Sequence, residues 1–271
     1  MVSEEFNKSN GKLFRSMNRL EKIAELREIL NSGRSSIGSW IQLPNSSIAE
    51  IIGQAGYDWV AVDLEHGSID IQQLPDIFRA LELGGTIPLV RLAHGEPKDC
   101  KRALDAGAFG VIAPMVESAE HLVSIRNACC WPPSGNRGVG FSRANLFGSR
   151  FSEYLIEAQA PFLVAMIENV RALENLDAIL EVQGLDALLV GPYDISSSLG
   201  VTGVLDHPKV VEALEVILKK SVAAGIPVGI HIVNPSLPDL KMRLSQGYKF
   251  IPFSIDSVFL STAAQRPNVE I

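Results

Sequence analysis

The sequence predicts an α/β fold built as a single (β/α)8 barrel, a TIM barrel, and three observations carry that expectation. A unit of amphipathic helix, glycine and short apolar run recurs six times, closing on Gly56, Gly85, Gly107, Gly184, Gly225 and Gly247. The runs are almost wholly apolar, as strands of a parallel sheet covered by helices must be. Ionisable residues gather at one end of those runs, the end where such a barrel carries its chemistry.

The elements follow in order. A helix over 18–30 would close the bottom of the barrel. The first strand, 37–43, lacks a preceding glycine and feeds a helix at 46–55. Gly56 stops that helix in a left-handed cap, and the chain drops into strand 59–63. The same logic gives helix 71–83 with strand 87–91, and helix 96–106 with strand 110–113. Helix 118–128 precedes a long connection, after which 162–167 reads as the fifth strand and 170–180 as its helix. Strand 187–190, helix 208–224, strand 228–231, helix 238–246, strand 250–253 and a last helix at 257–264 complete eight units. A doubly wound open sheet would show a nucleotide fingerprint near the first strand, and none is there. The polar stretch 1–18 is expected to be a tail, with 19–271 forming the barrel domain.

One connection is anomalous. Residues 131–160 carry the run Pro132-Pro133-Ser134-Gly135-Asn136-Arg137-Gly138-Val139-Gly140. A loop this long inside a barrel is usually functional or an interface element. No strand feeds directly into it and no Gly-Lys-Ser/Thr follows, so it is not a P-loop.

Composition excludes several classes. The chain has 24 Lys+Arg against 31 Asp+Glu, a net charge of −7, which disfavours nucleic-acid binding by a basic surface. No apolar run approaches the ~20 residues that cross a bilayer. The polar N-terminus has no apolar core of a secretory signal. The 3 cysteines, with Cys129 and Cys130 adjacent, form neither a disulfide framework nor a CxxC pair. A cytoplasmic location is expected.

The polar strand ends suggest the chemistry. The second strand ends in Asp63-Leu64-Glu65-His66 and the third in Arg91; the fifth ends in Glu168, and the sixth runs into Gly191-Pro192-Tyr193-Asp194. His231, Ser254 and Asp256 follow on the last two strands. Alternation along the fifth strand puts Val164, Met166 and Glu168 on one side. Glu168 and Asp194 each have a plain use as helix caps. Together, on adjacent strands at one rim, they suit Mg²⁺ or Mn²⁺, which takes one or two carboxylates plus water and substrate oxygens. No His/Cys cluster points to zinc. His66, beside carboxylates able to orient its ring, has the chemistry of a general base. Arg91, at the end of a buried strand, must find an anion: Asp63, Glu65, a substrate carboxylate or a developing oxyanion. His231 lies where it could line a pocket, with no partner evident in sequence.

These residues resemble the HpcH/HpaI aldolase family, metal-dependent class II pyruvate aldolases on a (β/α)8 barrel. The matching stretches are Asp63-Leu64-Glu65-His66-Gly67, Pro88-Leu89-Val90-Arg91, Arg137-Gly138-Val139-Gly140, Ile167-Glu168 and Gly191-Pro192-Tyr193-Asp194-Ile195-Ser196. They run in order through roughly residues 20 to 265. The resemblance implies His66 as base, held by Asp63 or Glu65, and Arg91 as the group that stabilises an enolate. It implies Glu168 and Asp194 as metal ligands, with backbone amides of Tyr193 and Asp194 on the keto-acid carboxylate. Where many members carry a glutamine two residues before the metal-binding glutamate, this chain has Met166, which cannot donate a hydrogen bond to substrate. The implied activity is cleavage or formation of 2-oxo-4-hydroxy acids, with an oxo acid and an aldehyde as partners. The implied assembly is a homohexamer, a trimer of dimers, whose C-terminal helix is exchanged between subunits through Val258-Phe259-Leu260. Two other readings are a condensing enzyme that uses oxaloacetate and an acyl-CoA, and a non-catalytic oxo-acid-binding barrel.

Overall fold

In the computed structural model, which describes residues 17–266, eight parallel strands alternate with helices round a barrel. Helix α1 (Arg19–Asn31) leads to β1 (Ser36–Ile41), α2 (Ser46–Gly53), β2 (Trp59–Asp63), α3 (Leu74–Leu83) and β3 (Ile87–Arg91). Next come α4 (Pro97–Ala106), β4 (Gly110–Ala113) and α5 (Ala119–Cys129). A 3-10 turn (Arg143–Gly148) and α6 (Phe151–Glu157) precede β5 (Phe162–Ile167). Then follow α7 (Val170–Glu174), α8 (Leu176–Leu180), β6 (Ala187–Val190) and α9 (Pro192–Ser198). The order ends with α10 (Pro208–Ala223), β7 (Val228–Ile230), α11 (Leu237–Gln246), β8 (Phe250–Pro252) and α12 (Asp256–Ala263). Each strand pairs with its sequence neighbour, and β1 also pairs with β8. The ring closes between β7 and β8 through Lys249 N–H to Val228 C=O at 2.8 Å and an Ile232–Phe253 bridge.

The repeat seen in sequence has its expected cause. All six of its glycines stand at positive φ. Gly107 and Gly247 cap α4 and α11 at φ of 112° and 108°, a region where a Cβ would be strained. Strands β2 to β6 fall on the expected residues, whereas β1, β7 and β8 end one or two residues earlier, where the ladder opens at the rim. The helix expected over 170–180 is two short helices divided at Asn175, whose φ and ψ of −98° and 10° leave the helical region. Helices α6 and α9 were not anticipated; α9 begins on Pro192, whose fixed φ suits a first helical position. Of the expected tail over 1–18, Met17 and Asn18 are described and the rest lies outside the described residues, as does 267–271.

Alternation along the strands sorts two cores. Val60, Val62, Val90, Leu163, Ala165 and Ile167 face outward to the helices. Trp59, Ala61, Leu89, Phe162, Val164 and Met166 fill the barrel interior. Each large side chain so buried contributes on the order of 2 kcal/mol. Inside, Trp59 stacks on Phe250 with centroids 4.0 Å apart. The backbone of Gly38 leaves room for it, since a Cβ there would lie 2.3 Å from the indole. Continuing the inward set up each strand brings Asp63, Arg91 and Glu168 to the C-terminal rim.

The N-terminal end is closed as expected by α1, which inserts Ile23, Leu26 and Leu30 into the interior core. Arg19 donates to Glu157 at 2.6 Å and to the carbonyls of Gly107 and Ala108, and its guanidinium lies 3.9 Å from the Phe109 centroid. Arg27 holds Asp186 with two hydrogen bonds, at 2.7 and 2.9 Å. Helix α12 packs on its own chain, with Phe259 beside Phe253 and with Leu260 lining an apolar groove against α2.

Candidate active site

The β2–β3 register pairs Asp63 directly with Arg91, and the two side chains meet in a two-point contact. Arg91 Nε donates to Asp63 Oδ1 at 2.8 Å and Nη2 donates to Oδ2. Gln42 Nε2 adds a bond to Oδ2 at 2.9 Å. Oδ1 also accepts the backbone N–H groups of Glu65 and His66, at 3.0 and 3.2 Å. Burial acts to raise the Asp63 carboxyl, but the Arg91 bonds and charge, aided by Gln42 and the His66 N–H, hold it down at about 2. It is therefore a permanent anion that folds the turn carrying His66. Gly67 completes that turn, because a Cβ there would stand 2.5 Å from the Asp63 carbonyl oxygen. Within the described residues, no hydrogen bond reaches the His66 ring; Asp63 holds its backbone.

Glu65 lies with Oε2 at 3.1 Å from Arg91 Nη1, an ion-pair contact too poorly aligned to satisfy that buried oxygen as a hydrogen bond. Burial raises its carboxyl, with Arg91 and His66 opposing. Arg91 in turn rests over the Trp40 ring, 5.1 Å from its centroid. Trp40 also touches the His231 ring, with centroids 5.0 Å apart.

Across the rim, Glu168 is 3% exposed and accepts the backbone N–H of Met115. Met115 has φ 49°, rare for a non-glycine residue. Burial pushes the Glu168 carboxyl up to about 7; the Met115 bond opposes this, and repulsion from Glu65 and Asp194 adds to it. A Cβ on Gly191 would lie 3.0 Å from Glu168 Oε2 and 3.6 Å from Asp194 Oδ2. The missing side chain thus leaves a notch into which both carboxylates project. Three carboxylates that repel one another, one of them deeply buried and only partly offset by Arg91, form a donor set that a cation would neutralise. The donors are hard oxygens, and among the described residues no three His, Cys, Asp or Glu side chains are arranged as a ready metal cage. Two carboxylates completed by water and substrate oxygens fit Mg²⁺ or Mn²⁺.

A cavity of about 320 Å³ opens here, lined by Trp40, Gln42, His66, Arg91, Met166, Gly191, Tyr193, Asp194 and His231 among others. Asp63, Glu65 and Glu168 stand behind this lining. Tyr193 and Asp194 occupy the first turn of α9, where N–H groups lack acceptors within the helix. The sequence-predicted residues therefore converge, with Met166 on the inner wall. Sequence reasoning missed Gln42, Trp40 and the Met115 amide. Their roles depend on partners from other strands, and an amide has no side-chain signal. Asp256, flagged at the rim, accepts the N–H groups of Gln42 and Leu43, each at 2.9 Å, and so fastens β1 rather than facing substrate.

No helix among the described residues is long and apolar enough to cross a membrane. A hydroxypyruvate/pyruvate aldolase of Rhizorhabdus wittichii is 35% identical over 246 residues, covering 89% of this chain and 96% of that protein. A 2-keto-3-deoxy-L-rhamnonate aldolase of Salmonella gallinarum is 36% identical, over 88% of this chain and 89% of that one. The crystal structure of a family protein from Burkholderia cenocepacia superposes with a TM-score of 0.83 at 33% identity, covering 88% of this chain and 95% of that chain. The family model for HpcH/HpaI aldolase/citrate lyase matches residues 36–263. Its reach takes in every strand and all of the converging rim residues, and the chain belongs to that family.

Proposed function

We propose that this protein is a metal-assisted aldolase, a carbon–carbon lyase that cleaves and forms 2-oxo-4-hydroxy acids through a pyruvate enolate. The observation that carries this reading is the rim itself: Asp194, a guanidinium fixed by Asp63 and a histidine line one cavity, and Glu168 stands just behind its wall, across the Gly191 notch from Asp194. The naming of its relatives as aldolases supports it.

Glu168 and Asp194 would hold the cation, whose chemistry there is Lewis-acid polarisation of the keto-acid carbonyl. The amides of Tyr193 and Asp194 bind the keto-acid carboxylate, and Met166 gives that acid an apolar wall. Arg91, held rigid by Asp63, Glu65 and Trp40, donates to the keto oxygen as negative charge grows on it. Such fixed donors are typically worth about 3 kcal/mol. In cleavage, His66 takes the proton of the 4-hydroxyl, directly or through water, and the bond between carbons 3 and 4 breaks. Its electron pair passes into the enolate, the aldehyde leaves, and a proton returned to carbon 3 gives pyruvate. In synthesis the same atoms run backwards. Among the described residues Arg91 is the sole lysine or arginine lining the cavity, and a reading that needs a basic groove for acyl-CoA phosphates gains no support from it. The catalytic unit is residues 19–271. The apolar groove between α2 and α12, with Ile51 71% and Leu260 55% exposed, supports a homohexamer in which another copy covers this face, while α12 itself packs on its own chain. Light scattering that shows a monomer at micromolar concentration would refute that assembly.

Glu168→Gln tests the metal assignment. Metal-dependent cleavage should fall roughly a thousandfold, about 4 kcal/mol, while thermal stability holds or rises because a repelled buried charge is gone. Full activity of that variant, or of wild type in excess chelator, contradicts the assignment.

A further inference from the structure

The start of the anomalous connection after α5 plays no part at the rim; it lies at the other end of the barrel. There Gly135, Asn136 and Arg137 give their N–H groups to the carbonyls of Trp131, Asn127 and Cys130, at 3.1, 2.8 and 2.9 Å. A Cβ on Gly135 would stand 2.4 Å from the Asn127 carbonyl oxygen, so the glycine lets the chain press against the end of α5. Carbonyls at that helix end are thus satisfied by backbone, and Arg126 in the last turn is not spent on capping them. Its Nη2 donates instead to the Ser134 carbonyl at 3.0 Å, and among the described residues no carboxylate pairs with it.

Arg126 lines a cavity of about 280 Å³ together with Arg27, Cys129, Cys130, Ser134, Gln183 and Gly184 among others. A water's share of liquid volume is about 30 Å³, so the space takes a larger guest. No aspartate or glutamate lines it, although the chain as a whole carries a net charge of −7. Arg27 turns Nε and Nη2 to Asp186 behind the wall, and its Nη1 makes no hydrogen bond within the described residues. The Ser134 hydroxyl and the Gln183 amide are likewise uncommitted there. A Cβ on Gly184 would lie 3.7 Å from Arg126 Cδ, which places the turn carrying Gln183 beside that guanidinium. Burial pushes the Cys130 thiol up, with Arg126 foremost among the opposing charges, so the sulfur stays neutral and supplies no counter-charge.

We propose that this cavity binds the phosphate group of a small anion, held by Arg126 and Arg27 with Ser134 and Gln183. The donors come from four separate segments: α1, α5, the connection after it and the turn before β6. Donors spread round a cavity suit a tetrahedral oxyanion, which presents oxygens on every side, better than a planar carboxylate. Guanidinium forks are the side chains that recognise phosphate with paired charge-assisted hydrogen bonds. Side chains do the holding here, so the site needs no P-loop. The proposal is independent of the aldolase reading, because none of these residues lines the rim cavity.

The test is a phosphorus NMR titration of the whole protein in chelator, which keeps divalent metal from binding phosphate at the rim. Wild type should bind inorganic phosphate saturably with a Kd of about 1 mM. Arg126→Gln should weaken that binding roughly tenfold or more. Gln183→Glu, at an exposed position whose side chain makes no hydrogen bond within the described residues, should weaken it too by offering Arg126 a carboxylate. Metal-dependent cleavage by both variants should stay within about twofold of wild type, since neither residue reaches the rim. Glycerol 3-phosphate binding tighter than inorganic phosphate identifies a metabolite's phosphate group as the occupant, and the reverse order identifies free phosphate. A wild type without saturable binding overturns the proposal, as does malonate that displaces phosphate at equal concentration. A folded Arg126→Gln protein that binds phosphate as wild type does overturns it as well. Should that variant fail to fold, unchanged binding by Gln183→Glu does the same.

Discussion

The two ends of the barrel treat buried charge in opposite ways. Around α1, each cation has its anion: Arg19 meets Glu157 and two carbonyls, and Arg27 meets Asp186. At the other rim, Asp63, Glu65, Glu168 and Asp194 crowd around a single guanidinium, Arg91. One of those carboxylates is pushed up to about 7 by burial and by its neighbours. At the closed end these guanidiniums are matched, whereas the rim carries more carboxylates than Arg91 can match, a deficit that a cation and an anionic substrate complete in the proposed function. The same side-chain types stabilise where their valences are filled and act chemically where they are not.

The sharpest way to break this contrast is at the closed end. Arg19→Met strands Glu157 in the interior, and urea unfolding should show a loss of about 3 kcal/mol. Activity per folded molecule should remain within about twofold, because Arg19 lies at the opposite end from the rim. A loss below about 1 kcal/mol, or a large fall in turnover of the folded protein, would erase the distinction between the ends.

A smaller effect sharpens the rim. Asp63 is the rim carboxylate whose charge is satisfied, held at about 2 against an ordinary value of 3.8. Its folded value is depressed, so its contribution is whole above about pH 4 and is lost as pH falls through about 2. The stability difference between wild type and Asp63→Asn should therefore shrink by on the order of 2 kcal/mol across that window. A difference that does not change between pH 5 and 2.5 would mean that Asp63 is not held by Arg91 in solution.

Much of this was legible in the sequence, for physical reasons that differ by element. Buried parallel strands must be apolar and helices must stop, so β2 to β6 and the six glycines declare themselves locally. Asp63, Arg91 and Glu168 were legible because alternation from Trp59, Leu89 and Met166 carries the inward face to the rim. What stayed hidden depends on contacts between distant strands. The His231 ring, kept neutral by burial, needs the Ser254 carbonyl from the chain beyond β8, 3.2 Å from its Nε2, to fix its tautomer, and the rigidity of Arg91 needs Trp40 from β1. Of the two carboxylates expected beside the His66 ring, Asp63 spends its oxygens on Arg91, Gln42 and two backbone amides, while Glu65 lies close enough for its charge to interact with His66. The break at Asn175 and the helix at 151–157 follow from packing that no local pattern encodes.

Formation of a pyruvate enolate at the rim can be followed by proton NMR of pyruvate in deuterated water. With Mg²⁺ or Mn²⁺ the wild type should exchange the methyl protons, and chelator should stop it. His66→Ala should slow exchange strongly, and Arg91→Ala roughly a hundredfold, about 3 kcal/mol. Exchange that persists undiminished in both variants, or a metal-loaded wild type that exchanges no protons, would contradict the account.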